Sequence, residues 1–184
     1  VIALPEEAEG IGGVTDLYKN RITMPFSGNY TEFRSTLHHE LLHAVFNDMF
    51  YGGSLQAVIG NNLQLIFPDW FDEGLSEYVS LGWYTNTDMW IRDAVINNYL
   101  PDIPQLGGYC AYRGGQSVWN YIVETYGRQK IGEILQEIKN RRNVQAGIQQ
   151  ALGLSIDELN DRWKDYYRKR YLPEVRERED IRDY

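Results

Sequence analysis

All three histidines of this 184-residue chain lie at positions 38, 39 and 43. In His39-Glu40-Leu41-Leu42-His43 two imidazoles stand four residues apart. On a helix the two rings are about 40° apart around the axis, one turn above the other. Side chains so placed can converge on one tetrahedral Zn²⁺ at ~2.1 Å. Glu40 lies about 100° round the helix from His39, too far to ligate with the pair but placed to reach a water on the ion. Two imidazoles buried beside an apolar helix face would be costly without a partner, which favours a metal site over a core pair. His38 points well away from the other two and reads as a packing or supporting residue.

A zinc ion that serves hydrolysis takes three protein ligands and keeps one position open for water. With no further histidine and a single cysteine, Cys110, a three-histidine site is eliminated and the third ligand must be a carboxylate. The best source is Trp70-Phe71-Asp72-Glu73-Gly74-Leu75-Ser76-Glu77, which as a helix carries Glu73 and Glu77 on one face. Either can ligate, and the other can then accept the free N–H of a ligating imidazole. A plain solvated pair of glutamates is the competing reading of that spacing.

These residues need two helices to hold them. Phe33, Leu37, Leu41, Leu42, Val45, Phe46, Met49 and Phe50 recur at helical spacing, with Thr31 as the expected N-cap and Gly52 just past the end. Residues 52–68 read as a Gly-rich turn and a helical segment. Asp69 is the expected cap of a second helix of about 13 residues. Upstream, Val14 to Leu17 and Ile22, Met24 and Phe26 alternate with polar residues around a Lys19-Asn20 turn, which predicts a β-hairpin. Downstream, helical patterns run over 90–99, 117–126 and 131–139, and a Ser155/Glu158 capping box opens one that reaches about Tyr171. The predicted fold class is α+β, mostly helical, with a small N-terminal hairpin beside the active-site helix. The predicted domain covers 1–172, with strands over 1–30, the two ligand helices over 31–82 and a helical part over 83–172. Residues 173–184, dense in mixed charge, read as a tail or a linker to a further domain.

Composition narrows the rest. A net charge of −8 and a pI near 4.9 argue against nucleic-acid binding, which needs a basic footprint. One cysteine excludes an internal disulfide and an iron–sulfur cluster. No apolar run suits a membrane-spanning helix, so no membrane insertion is expected. Gly10-Ile11-Gly12-Gly13 lacks the Lys-Ser/Thr of a phosphate loop. The aromatic residues read mainly as core and surface packing; Tyr166, Tyr167 and Tyr171 among Lys and Arg make an amphipathic helix, for which a partner domain is the lesser alternative. Val1 in place of an initiator Met suggests a piece of something longer.

His39-Glu-Leu-Leu-His43 followed by Trp70-Phe-Asp-Glu73-Gly resembles the gluzincin zinc peptidases. It is closest to the peptidase-MA-like domains found next to TolB-like β-propellers, with Ala111-Tyr112-Arg-Gly-Gly-Gln-Ser117 and Ala151-Leu152-Gly-Leu154-Ser155 also matching. The resemblance covers roughly residues 35–171. It implies His39, His43 and Glu73 as zinc ligands, Glu40 as general base, and Glu77 as hydrogen-bond partner of a zinc histidine. It also implies Tyr112 as donor to the oxyanion, with Tyr109 and Arg113 as alternatives. The implied activity is zinc-dependent hydrolysis of peptide bonds in a peptide or protein substrate. The chain lacks a G-x-M-E-N segment, so an endopeptidase is expected rather than an aminopeptidase. An extended peptide could add to the hairpin's strand edge. A C-terminal β-propeller in the same polypeptide and a periplasmic or extracellular location follow from the resemblance alone. The competing class is a catalytically silent zincin-like scaffold module attached to such a propeller.

Overall fold

The computed structural model describes residues 12–16, 20–26, 28–52 and 65–176. It divides into two compact units, residues 1–64 and 65–184. The predicted α+β class is borne out: helices dominate, and the one sheet among the described residues is a two-stranded antiparallel ladder near the N-terminus.

In the first unit β1 (Val14–Thr15) pairs with β2 (Ile22–Thr23), with Val14 opposite Thr23 and Thr15 opposite Ile22. This is the expected hairpin in shortened form, and Leu17 to Lys19 lie outside the described residues. The long helix α1 spans Tyr30–Tyr51. Its N-cap is Asn29 rather than Thr31: the Asn29 Oδ1 accepts from the amides of Thr31 (2.9 Å) and Glu32 (3.3 Å). Asn and Thr both cap, but the residue whose backbone is still extended takes the role, and Asn29 has φ −106° and ψ 108°. At the other end Gly52 adopts the left-handed conformation, φ 66°, and its amide reaches the Asp48 carbonyl at 3.0 Å. The apolar pattern divides along this helix. Phe46, Phe50 and Tyr51 are buried, whereas Leu37, Leu41 and Val45 are exposed. The segment expected between Gly52 and Phe67 lies mostly outside the described residues.

Among the described residues the elements of the second unit are all helices: α2 (Asp69–Leu81), α3 (Thr85–Ile96), a 3-10 turn at Ile103–Gln105, α4 (Tyr109–Tyr126), α5 (Gln129–Arg141), α6 (Val144–Leu152), α7 (Ile156–Tyr171) and α8 (Pro173–Arg176). Asp69 is the first helical residue of α2, not its cap. Pro68 precedes it in an extended conformation, ψ 143°, and proline at this point has no amide that needs a partner. α3 begins before Trp90 and α4 before Ser117, each earlier than periodicity alone placed it, and the short α6 was not foreseen. Pro173 to Arg176 form a helical turn at the start of the segment read as a tail.

Two glycines set the centre of this unit. A Cβ on Gly74 of α2 would stand 2.3 Å from the Gly115 carbonyl carbon of α4, and one on Gly115 would stand 2.2 Å from the Trp70 carbonyl oxygen. The two helix backbones therefore touch where they cross. The Trp119 indole donates to the Phe71 carbonyl at 2.9 Å and packs edge-on to the Phe71 ring, 4.9 Å between centroids. α7 closes the other side of α4. Its Trp163 donates to the Ser117 hydroxyl (3.0 Å) and its Tyr167 to the Ser117 carbonyl (3.2 Å). The tyrosine face of α7 is thus spent inside this unit. Tyr167 stacks on Trp83, and the buried Tyr171 donates to Asp88 at 2.7 Å. Burial drives the Tyr167 phenol well above its usual range. No described helix is long and apolar enough to cross a membrane.

Candidate metal centre

Helix geometry does for His39 and His43 what their spacing predicts. Four residues of α1 bring the two imidazoles to one side, with ring centroids 4.9 Å apart and planes at 65°. Their Nε2 atoms stand 3.1 Å apart. Two Zn–N bonds of ~2.1 Å at a tetrahedral angle set their nitrogens roughly 3.4 Å apart. The pair therefore already fits a single shared ion and could hold one. Both rings are half-buried, whereas His38 is exposed. Its expected packing role is not met, because the position falls on the outer side of α1.

Glu40 follows His39 but faces elsewhere. It is only 5% exposed, unusual for a carboxylate, which is costly to bury without hydrogen bonds. The compensation comes from β1. The Thr15 hydroxyl donates to Glu40 Oε2 at 2.6 Å and lies 3.0 Å from the Glu40 carbonyl oxygen. Gly13, two residues before Thr15, runs so close to Glu40 that a Cβ there would stand 2.7 Å from its Cγ and 2.9 Å from its Oε1.

In the second unit α2 carries Glu73 and Glu77 one turn apart, both half-buried. A solvated glutamate face does not describe Glu77. Its carboxylate takes a 2.8 Å bond from Arg113 Nη1, in a pair whose side chains are 13% and 18% exposed. Arg113 also lies 3.4 Å from the Thr87 hydroxyl, and its guanidinium sits 5.9 Å from the Tyr109 ring centroid. The fully buried Gln116 ties the same corner together. It donates to the Gly82 carbonyl at 2.6 Å and accepts from the buried Thr87 hydroxyl. Tyr112 is half-buried in the first turn of α4, and Tyr109 is exposed. Arg113, one of the alternatives for stabilising an oxyanion, thus has its charge partly spent on Glu77.

Sequence reasoning did not find Thr15, Gly13, Thr87 or Gln116. Thr15 stands 25 residues from Glu40, and Thr87 stands 29 from Gln116. Spacing along one element carries no signal for either contact.

No curated protein matches this chain, and no solved structure does. A family model does match: that of the peptidase MA superfamily, over residues 3–169. That span takes in the hairpin, the histidine helix, α2 and the helices through most of α7. With the match running through nearly its whole length, the chain belongs to the peptidase MA superfamily.

Proposed function

We propose that this chain is a zinc-dependent endopeptidase, with His39, His43 and Glu73 as the metal ligands and Glu40 as the proton carrier. The observation that carries the reading is the Nε2 pair at 3.1 Å with a buried, non-ligating glutamate beside it. Glu40 is not needed to hold the ion, and its place next to His39 suits proton transfer from a water on the ion. The three donors the proposal names are His39 and His43 on α1 and Glu73 on α2. A donor set of two imidazoles and one carboxylate suits zinc in a hydrolytic site. When bound, the ion supplies Lewis acidity toward the scissile carbonyl and an attacking water.

The chain's own residues then divide the remaining work. Glu40 takes a proton from the attacking water and delivers it to the leaving amine nitrogen. Tyr112 donates a hydrogen bond to the oxygen that gains negative charge, and Glu77 with its Arg113 partner holds the α2 end of the site in place. The substrate is a peptide or protein chain bound away from its termini. We extend the proposal to a β-propeller in the same polypeptide as the neighbouring domain and to an exported location.

The test is cleavage of a peptide library by the zinc-loaded chain and by Glu40→Gln. The variant should lose about 10²–10⁴-fold in turnover while binding zinc as before. Turnover retained in Glu40→Gln would contradict the role of Glu40, and no cleavage by the unaltered chain would favour the scaffold reading.

A further inference from the structure

The contact between β1 and Glu40 reaches beyond fold. A glutamate on a helix has several rotamers, and its carboxylate swings through them unless something holds it. Here the described residues give that carboxylate one hydrogen-bond partner, the Thr15 hydroxyl, at the short distance of a charge-assisted bond. The same hydroxyl lies within reach of the Glu40 carbonyl, so it is fixed against both ends of one residue. Gly13 supplies the room, because any side chain there would drive into the Cγ and Oε1 of Glu40. Oε2 is therefore engaged, and Oε1 passes over a position that carries no side chain.

We propose that β1 is the holder of the general base: Thr15 is a positioning residue that fixes the Glu40 carboxylate through Oε2, leaving Oε1 for proton transfer, and Gly13 is the clearance this requires. The proposal rests on the reading of Glu40 as proton carrier. It assigns the hairpin a task in the chemistry, separate from any part it has in binding an extended peptide. Threonine suits the place on two counts, since its branched Cβ favours a strand and its hydroxyl donates. Valine matches the shape and lacks the donor, so Thr15→Val isolates the hydrogen bond.

In the zinc-loaded chain, Thr15→Val should lower kcat about 10- to 100-fold, the range for losing one charge-assisted hydrogen bond at a reacting group. KM and zinc content should stay unchanged. Thr15→Ser, which keeps the donor, should restore most of the loss, and Gly13→Ala should lower kcat with zinc content intact. The second readout needs neither zinc nor turnover. In the metal-free chain Thr15→Val should lower the urea midpoint when residue 40 is Glu and have much less effect beside Glu40→Leu. Unchanged kcat in Thr15→Val, or equal midpoint losses in the two backgrounds, would overturn the proposal. If the unaltered chain cleaves no peptide, the peptidase reading fails by itself, and the midpoint comparison still decides whether Thr15 holds Glu40.

Discussion

The histidine helix and the helix pair α2–α4 solve the same problem in opposite ways. α1 carries chemistry along an element whose own packing is uneven. Its last turns are anchored by Phe46, Phe50 and Tyr51, while Leu37, Leu41 and Val45 along the same helix remain exposed. Order there comes from local devices: an Asn29 cap, a Gly52 stop, and a threonine that reaches across from β1. α2 is held by backbone contact with α4 at Gly74 and Gly115 and by a buried set of polar side chains around Glu77. Ligands separated by one helical turn need little more than the helix itself. Glu73, the proposed third ligand, rides on α2, whose place on α4 is set within its own unit by direct helix-to-helix backbone contact.

The sharpest way to break that contrast is at the glycines. Gly115→Ala places a methyl group against the Trp70 carbonyl, where backbone rather than a flexible side chain must yield. It should cost on the order of 3 kcal/mol in urea unfolding. A cost below about 1 kcal/mol, typical of a tolerated core change, would mean that α2 and α4 are not locked by contact. Next is the polar corner. Arg113→Met removes the donor from a carboxylate in a mostly enclosed place and should cost about 2 kcal/mol. Glu77→Gln keeps an acceptor oxygen for Arg113 and should cost less; the reverse order would show that the pair is not what holds this corner. The smallest effect belongs to α1, where Asn29→Ala should cost about 1 kcal/mol through loss of the cap. The loss should appear as faster amide exchange in the first turn, and Thr31→Ala should leave that turn unaffected.

How legible each part was in the sequence follows from the same contrast. His39, Glu40 and His43 were readable because helix periodicity alone fixes their relation. Gly52 and the Ser155/Glu158 capping box were readable because each signal lies within one turn of what it controls. Asn29 was passed over for Thr31 because both residue types cap, and the choice depends on where the chain leaves its extended conformation. The start of α4 was missed because Gly107, Gly108, Gly114 and Gly115 look like turn residues. In the fold the last two are helical, kept small by Leu106 and by α2. Glu77 could be placed on a helix face, but its partner Arg113 lies 36 residues away, and nothing in either segment announces the other. The packing expected of the aromatic face of α7 is met by α3 and α4 of its own unit, although its amphipathic pattern would be the same against another domain.

Everything proposed for this chain depends on His39 and His43 sharing a zinc ion. Elemental analysis of the chain purified without chelator and then offered zinc tests it most directly, with His43→Ala measured alongside. About one zinc per chain is expected, retained in Glu40→Gln and lost in His43→Ala. A chain that takes up no zinc, or one that binds it equally well without His43, would rule out a zinc ion shared by these two histidines.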